Sequence, residues 1–232
     1  MRELSWDGFL NVRDLGGLPL RRGGETAPGR VARSEWPGFL TEQGWRALAE
    51  HGVRTLVDLR CPSEEPYAPV DGIRRVAAPI FEFDDPELFG IVGGMSRKSD
   101  YYTVWMDYCR PRMAAAVAAV ADAPTGGVLV HCHSGRDRTG IVSALLLSLA
   151  GVPDAAIVDD YLASMPALTP RYEQELREAT DPAWRDALTH HHEIEAGMIR
   201  AALAAAGDVG AYLLSGGASA EQLERARARL VE

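Results

Sequence analysis

The stretch that decides the fold is Val128-Leu-Val-His-Cys-His-Ser-Gly-Arg-Asp-Arg-Thr-Gly140, a polar loop between two apolar segments. Residues 128–131 are rich in β-branched and aliphatic side chains and predict a buried β-strand. Residues 139–150 are almost wholly apolar and predict a helix that is buried on most sides. The loop therefore follows the carboxyl end of a strand, which is where open α/β sheets bind their ligands.

The composition of this loop predicts an anion cradle that holds a nucleophile. The first N–H groups of a helix have no partner within it and attract anions, and Gly135 lets the backbone curl around a ligand. Cys132 ends the strand, where the dipole of the following helix favours the reactive thiolate. Arg138 stands six positions later, and its planar guanidinium can donate two hydrogen bonds to phosphate oxygens. Together these groups predict in-line attack on a phosphate monoester.

The two other cysteines serve as an internal comparison. Tyr67 stands six positions after Cys61 and Ala115 six positions after Cys109, so only Cys132 is followed by an arginine at that spacing. No two cysteines form a C-x-x-C pair, which argues against both a disulfide framework and a zinc site. We therefore expect a reducing compartment and no bound metal.

The charge and hydropathy of the chain exclude some classes of partner. A formal net charge of −9 predicts no long-range attraction to nucleic acid or to an anionic membrane. The first residues lack a basic region followed by an apolar run, and the longest apolar stretches, such as residues 141–151, fall short of the roughly 20 residues that span a bilayer. The histidines at 190–192 indicate a solvated helical face, because neighbouring side chains on a helix diverge. We expect a cytoplasmic protein with no integral membrane segment.

Strand and helix signals alternate along the first two thirds of the chain. Residues 53–57, 73–77 and 128–131 have strand-like composition, and helices are predicted at 41–50, 99–122 and 139–150. This order predicts an α/β fold with a central, mostly parallel sheet flanked by helices, and residues 1–232 as a single domain.

The C-terminal third has a different pattern. Residues 154–207 are helical in composition, with predicted breaks at Pro166, Pro170 and Pro182. Ser219 and Gln222 form a capping box that opens a final helix, predicted to end at Arg229. We expect a C-terminal helical extension in which residues 154–207 form either a mobile lid over the loop or a purely structural cap.

The segment HCHSGRDRTG at 131–140 resembles the active-site loop of the Cys-dependent protein tyrosine and dual-specificity phosphatase superfamily. The longer pattern is similar to bacterial tyrosine phosphatases with an HCxxGKDRTG loop, a branch that shares features with lipid phosphatases. Four further segments carry this resemblance, which spans roughly residues 8–165: Phe9-Leu-Asn-Val-Arg-Asp-Leu-Gly-Gly17, Arg33-Ser34, Gly52–Arg60 and Asp160-Tyr-Leu-Ala-Ser164. One departure is Arg136, which stands where the family usually has lysine.

The resemblance implies a protein tyrosine phosphatase without metal or cofactor, whose loop also binds inorganic phosphate. Cys132 is expected to attack phosphorus and form a thiophosphate intermediate. Arg138 and the backbone amides of the loop, from His133, Ser134 and Gly135 onward, are expected to hold the phosphoryl oxygens. Thr139 is expected either to hydrogen-bond the thiolate or help release it in the second step, or to be an ordinary first-turn helix residue.

The leaving oxygen needs a proton from a general acid. A carboxylate inside an anion cradle repels phosphate unless it has a function, and the resemblance to lipid phosphatases with Asp at this position also favours Asp137. The alternatives are Asp84 and Asp85, on a loop after the second predicted strand. Asp58 is expected to be a strand-end residue that supports the loop architecture.

The remaining charged residues near the loop leave alternatives open. Arg136 is expected either to accept a second phosphate, as lysine does in phosphoinositide-active relatives, or to be a surface residue paired with Asp137 or another carboxylate. Arg13, Asp14 and Arg33 are expected to form a charge network that braces the loop, and the alternative for Asp14 is simple turn chemistry. His131 is expected to be a hydrogen-bonding residue rather than a base.

Three functions compete at this stage. The leading one is a metal-independent phosphomonoesterase acting on phosphotyrosine, with possible dual-specificity or phosphoinositide activity that depends on the depth of the pocket. A phosphate-binding module without turnover would lack the nucleophile, the arginine or the acid, and all three are present. A sulfurtransferase also uses a cysteine in such a loop, but Arg138-Thr139-Gly140 opening the helix favours phosphate.

Overall fold

In the computed structural model, which describes residues 3–81, 85–95, 97–192 and 195–232, the central element is a mixed sheet. Among these residues five strands pair in the order β1-β2-β5-β3-β4. Their bounds are β1 Arg13–Asp14, β2 Val31–Ser34, β3 Val53–Asp58, β4 Arg74–Ala77 and β5 Gly127–His131. Only the β1–β2 pair is antiparallel, so the predicted, mostly parallel α/β sheet is confirmed.

Helices cover both faces of the sheet. A short 3-10 turn, Pro37–Phe39, follows β2. The helices are α1 Glu42–Glu50, α2 Pro86–Val92, α3 Lys98–Tyr108, α4 Arg110–Ala121, α5 Asp137–Ala150, α6 Asp154–Leu162, α7 Ser164–Glu178, α8 Pro182–His192, α9 Ala196–Ala206, α10 Val209–Ser215 and α11 Ala220–Val231.

Strand β5 lies in the middle of the sheet and is buried on both faces. Val128 and Val130 belong to the large core formed with α3 to α6 and α9 to α11, whereas Leu129 belongs to the smaller core under α1. This division follows from the two-residue period of a strand, in which successive side chains point to opposite faces. The loop after β5 therefore starts from a rigid, doubly covered element.

Helix α5 leaves the same loop and is buried along nearly its whole length, as its composition predicted. Gly151 ends it in the left-handed region, with φ of 92°. Two other predicted helix boundaries are also confirmed: the side chain of Thr41 accepts a hydrogen bond from the backbone N–H of Gly44, and Ser219 forms a capping box with Gln222.

The predicted single helix over 99–122 is wrong, since the structure has two helices, α3 and α4, with the break at Cys109. The cause is Pro111, which lies in the first turn of α4. Proline has no N–H and its ring clashes with the carbonyl group four residues earlier, so a helix restarts there rather than continuing.

The predicted breaks in the C-terminal third are correct only in part. Pro182 begins α8, but Pro166 and Pro170 both lie within α7. Pro166 occupies the first turn of α7, where a missing N–H costs nothing. Pro170 costs one backbone hydrogen bond, and the burial of Leu168 and Tyr172 on either side holds the helix together.

Residues 154–207 do not pack in a uniform way. Helices α6 and α9 bury Ile157, Val158, Ile199 and Ala202 in the large core, whereas α8 packs against α7. The predicted lid thus concerns α7 and α8 most directly. The side chains of residues 190–192, including the predicted solvated histidine face, lie outside the described part of the chain.

Within the described ranges, no single helix has the length and apolar composition needed to cross a membrane. Helices α9 and α10 pass such a test only jointly, and a bend of 68° separates them.

Candidate active site

The loop between β5 and α5 is shaped by contacts from the scaffold to its backbone carbonyl groups. The carbonyl oxygen of His133 accepts from Trp36 N at 2.8 Å, that of Ser134 from Asn11 Nδ2 at 2.9 Å, and that of Gly135 from Arg33 Nη2 at 2.7 Å. In a trans peptide the N–H points opposite to the C=O. The three following N–H groups are therefore turned towards the interior of the loop, as an anion cradle requires.

Gly135 is required at its position in the loop. Its φ is 68°, in the left-handed region, and a Cβ atom there would lie 2.5 Å from the carbonyl carbon of Ser34. Any side chain would push the loop away from β2 and change the direction of the inward N–H groups.

A buried ionic network braces the loop from behind. Asp160 accepts from Arg33 Nη1 at 2.6 Å and from Arg13 Nε at 3.1 Å, and all three side chains are almost fully buried. Ser164 Oγ adds a contact with both guanidinium groups. The predicted bracing role of Arg13 and Arg33 is confirmed, although Asp160, the carboxylate that joins them, was not predicted.

The expected membership of Asp14 in this network is wrong. Its carboxylate accepts from the backbone N–H groups of Gly16 and Gly29, both at 2.7 Å. This is the turn chemistry that its sequence context predicted.

Cys132 and Arg138 lie on opposite ends of the loop, and both are buried. Arg138 pairs end-on with Glu64, through Nη1–Oε2 at 2.5 Å and Nη2–Oε1 at 3.0 Å. Burial alone would lower the pKa of Arg138, but Glu64 and the nearby Cys132 thiol raise it overall. The guanidinium therefore stays charged and is held in one orientation near Cys132.

Glu64 is a site residue that the sequence analysis missed. Burial raises the pKa of its carboxyl, but hydrogen bonds and charge from Arg138 outweigh this and lower it. A signal was available: Glu64 follows β3, which is parallel to β5, and the carboxyl ends of neighbouring parallel strands meet at one edge of the sheet.

Thr139 is fully buried in the first turn of α5. Its Oγ1 has no hydrogen-bond partner among the described residues, so the expected bond to the Cys132 thiolate is not formed in this structure. A donor left unpaired next to the cradle is costly unless a ligand or water satisfies it. Its role in the reaction stays a prediction.

Asp137, the first residue of α5, is held by two neighbours. Arg136 donates through Nε at 2.9 Å and lies 2.8 Å from the carboxylate through Nη2. The Tyr102 hydroxyl of α3 donates to Oδ1 at 2.5 Å. The carboxylate is 18% exposed, so it is reachable from the loop while both of its oxygens are held.

Arg136 is not a surface residue, and this corrects one of the two expectations for it. It is 3% exposed and pairs with Asp137, while Nη1 donates to the Tyr172 hydroxyl at 3.1 Å. Burial would lower the pKa of Arg136, but the charge of Asp137 raises it overall. A lysine has no second and third nitrogen to divide between Asp137 and Tyr172, which gives the departure from the family's lysine a structural reason.

Tyrosines from three helices surround this pair. Tyr102 of α3 and Tyr161 of α6 share a hydrogen bond of 2.7 Å, and Tyr172 of α7 contacts Arg136. Burial is the largest cause that raises the pKa of all three, to about 12 for Tyr172. They therefore remain protonated hydrogen-bond donors at any working pH.

Asp85, the other candidate acid, has a structural task. Its carboxylate accepts from the N–H groups of Glu87 and Leu88 at the start of α2 and from the Tyr108 hydroxyl at 3.0 Å. The backbone bond to Leu88 lowers the pKa of Asp85, which favours the ionised form over a proton donor. Asp84 lies outside the described residues.

His131, the residue before Cys132, is fully buried, and both of its ring nitrogens have hydrogen-bond partners. Its Nε2 lies 2.7 Å from the Tyr67 hydroxyl and its Nδ1 3.2 Å from the carbonyl oxygen of Cys132. Burial lowers the pKa of His131 to about 4, so it is neutral at physiological pH. This environment agrees with a hydrogen-bonding role, and Asp58 likewise binds Arg60 and Arg75 at the end of β3.

The rim of the loop is aromatic on one side. His133 is exposed and stacks on Trp36 at 6.2 Å, and Phe39 packs against the same imidazole edge-on. Arg171 of α7 lies 4.0 Å above the Phe39 ring and pairs with Glu35, which is fully buried. Helix α7 thus reaches the rim through Arg171 and the Arg136 corner through Tyr172.

A cysteine at the end of a parallel strand, amides turned inward and a fixed guanidinium agree with the loop that the sequence predicts. The model of the tyrosine phosphatase family matches residues 4–232, and the chain belongs to that family.

Named relatives agree with this assignment. A tyrosine-protein phosphatase of Nostoc commune is 32% identical over 212 residues, covering 83% of this chain and 71% of that protein. A protein of Cupriavidus necator that carries the name of a tyrosine-protein phosphatase is 31% identical over 190 residues, covering 70% of this chain and 63% of that protein. The triple specificity protein phosphatase PtpB of Mycobacterium tuberculosis is 42% identical over 57 residues, covering 23% of this chain and 21% of that protein. The chain is accordingly a phosphatase.

Proposed function

We propose that this phosphatase hydrolyses phosphotyrosine in proteins through a thiophosphate on Cys132. The observation that carries the proposal is the set of three carbonyl groups bound by the scaffold, which turns the intervening amides towards the point where a phosphoryl group meets Cys132 and Arg138. No metal enters the reaction as proposed.

The first step transfers the phosphoryl group to the enzyme. The Cys132 thiolate attacks phosphorus in line with the ester oxygen, the S–P bond forms, and the P–O bond breaks with its electron pair staying on the leaving oxygen. Asp137 gives that oxygen a proton. Arg138 and the loop amides hold the equatorial oxygens throughout, and Glu64 keeps the guanidinium in place.

The second step regenerates the enzyme. Water attacks phosphorus, the Asp137 carboxylate accepts a proton from it, and the S–P bond breaks to give inorganic phosphate and the thiolate. Thr139 donates to the departing sulfur in this step; its buried hydroxyl, unpartnered among the described residues, supports the role.

Phosphotyrosine is the favoured substrate because of the rim and of Arg136. The exposed imidazole of His133, backed by Trp36 and Phe39, offers an aromatic wall to a phenyl ring. Arg136 would have to leave Asp137 and Tyr172 to take the second phosphate of a phosphoinositide. The relative named for triple specificity matches over too short a segment to outweigh these two contacts.

The test uses purified chain and a panel of substrates in EDTA. We expect hydrolysis of p-nitrophenyl phosphate and phosphotyrosine peptides that vanadate blocks, with phosphoserine peptides and phosphoinositides turned over more slowly. The Cys132→Ser protein is expected to be inactive on all of them. Activity in the serine variant would refute the mechanism, and a faster rate on phosphoinositides would refute the substrate.

A further inference from the structure

Of the three candidate acids, the two within the described residues, Asp137 and Asp85, are each held by a tyrosine from the same helix. Along α3, Tyr102 donates to Asp137 at 2.5 Å and Tyr108 donates to Asp85 at 3.0 Å. The two tyrosines differ in burial, since Tyr102 is 1% exposed and Tyr108 is half-buried beside solvent. Only the first carboxylate belongs to the loop that contains Cys132.

The hydroxyl of Tyr102 has one direction in which to donate. It lies 2.5 Å from Asp137 Oδ1 and 2.7 Å from the Tyr161 hydroxyl, and Oδ1 accepts this bond whether Asp137 is ionised or carries its acid proton on Oδ2. The Tyr102 proton therefore goes to Asp137, and Tyr161 supplies its own proton to the Tyr102 oxygen. The carboxylate is fixed at the end of a short chain of hydroxyl groups.

Arg136 fixes the same carboxylate from the opposite side. Its Nε lies 3.0 Å from Oδ1 and 2.9 Å from Oδ2, and Tyr172 holds its far end at 3.1 Å. The charged and titratable groups that face Asp137 include Arg136 of the loop, Tyr102 of α3, Tyr161 of α6 and Tyr172 of α7.

We propose that Tyr102 is a positioning residue for the general acid: it sets the place and angle of the Asp137 carboxyl from which a proton passes to the leaving oxygen. This inference rests on the proposed function and deepens it. Proton transfer requires the carboxyl oxygen to lie within hydrogen-bond reach of the ester oxygen as the P–O bond breaks. Small displacements of the carboxyl therefore lower the rate. Tyr102 does not touch the substrate.

The rate loss caused by removing the Tyr102 hydroxyl should therefore depend on the leaving group. A phenoxide with several nitro groups leaves as a stable anion and needs no proton, whereas plain phenoxide does. Loss of the Tyr102 hydroxyl therefore slows the phosphoryl transfer step in proportion to how much help the leaving oxygen needs. A change that merely loosened the fold would slow all of these substrates alike.

The experiment compares Tyr102→Phe with Tyr108→Phe on a series of phenyl phosphates. The readout is kcat/KM, which reports on the steps through phosphoryl transfer to Cys132. For Tyr102→Phe we expect a roughly tenfold loss with phenyl phosphate and a loss within about twofold with dinitrophenyl phosphate, smaller than the 10²- to 10⁴-fold effect of removing a general acid. For Tyr108→Phe we expect the same ratio to wild type across the whole series.

Two results would overturn the inference. One is a loss in Tyr102→Phe that is uniform across the series or absent. The other is a graded loss in Tyr108→Phe, which would assign the acid to Asp85.

The inference stays testable if Tyr102→Phe fails to fold. Arg136→Lys keeps the positive charge but loses the Nε contact, and it is expected to give a graded loss of the same kind; a uniform loss or none would contradict the positioning of Asp137. Failure of the proposed function would give a different result, because the Cys132→Ser protein would then turn over substrate.

Discussion

The loop from Cys132 to Arg138 is held differently on its two flanks. On one flank the scaffold binds backbone carbonyl groups of the loop, and on the other it binds the side chain of Asp137. The cradle flank is fixed at three carbonyl oxygens by Arg33 of β2 and by groups of the segments next to β1 and β2, all of them buried. The acid flank is fixed at the carboxylate of Asp137 by side chains of Arg136 and Tyr102.

The difference corresponds to what each flank does. A cradle binds the same phosphoryl group in every step, so it is best held rigidly through its backbone. An acid must release and accept a proton within one cycle, and hydrogen bonds from other side chains hold its carboxyl in place through both states. The predictions below test this contrast between the two flanks.

The largest effect is expected from breaking the support of the cradle with Asp160→Asn. This change leaves the buried guanidinium groups of Arg13 and Arg33 without a counter-charge, which costs about 3–5 kcal/mol of unfolding free energy for a buried pair. Urea denaturation of the variant beside wild type measures the loss. Asp154→Asn is a matched control because its partner Arg21 is exposed, and it is expected to change stability by less than about 1 kcal/mol.

Equal stability of the two variants would show that the network behind the loop does not hold the fold together. The cradle would then need another source of rigidity.

An intermediate effect is expected when a side chain is added to a glycine of the cradle. Gly135→Ala and Gly52→Ala both place a Cβ at a positive φ, which costs about 1–2 kcal/mol. Gly52 has open space around it, whereas at Gly135 the added atom meets the Ser34 carbonyl group. We expect Gly135→Ala alone to lose affinity for vanadate, measured as the inhibition constant. Equal vanadate inhibition in both variants would contradict the cradle geometry.

The smallest effect is expected in the pH dependence of stability, through His131 at the end of the strand that leads into the cradle. Burial lowers the pKa of His131 from 6.5 to about 4, so between these values the unfolded chain binds a proton that the folded chain does not. The stabilising contribution is complete above pH 6.5 and is lost as the pH falls towards 4. Urea midpoints across this window are expected to fall less steeply for His131→Gln than for wild type. Parallel pH profiles would show that His131 is not held neutral.

The contrast between the flanks also explains how far the sequence could predict the site. The cradle is local: Cys132, Gly135 and Arg138 lie within seven residues, so their spacing carries the geometry. The acid flank is assembled from distant elements, since 35 residues separate Tyr102 from Asp137 and 36 separate Arg136 from Tyr172. Nothing in the spacing of one sequence joins such positions.

The same reasoning applies to the fold. Thr41, Gly151 and Ser219 were predicted correctly because caps are set by neighbours within four residues. The continuation of α7 through Pro170 could not be predicted, because it depends on the burial of that helix against distant parts of the chain. Asp160 was matched only as part of a motif, and its two arginine partners became visible in three dimensions.

The most direct test of the central claim is to trap the phosphoenzyme. Wild-type chain is mixed with p-nitrophenyl phosphate, quenched during turnover and digested, and the peptide that contains Cys132 is weighed by mass spectrometry. We expect the mass of one added phosphoryl group on that peptide, located on the cysteine, and none in the Cys132→Ser protein. Rapid turnover without a phosphorylated Cys132, or a phosphoryl group on another residue, would contradict it.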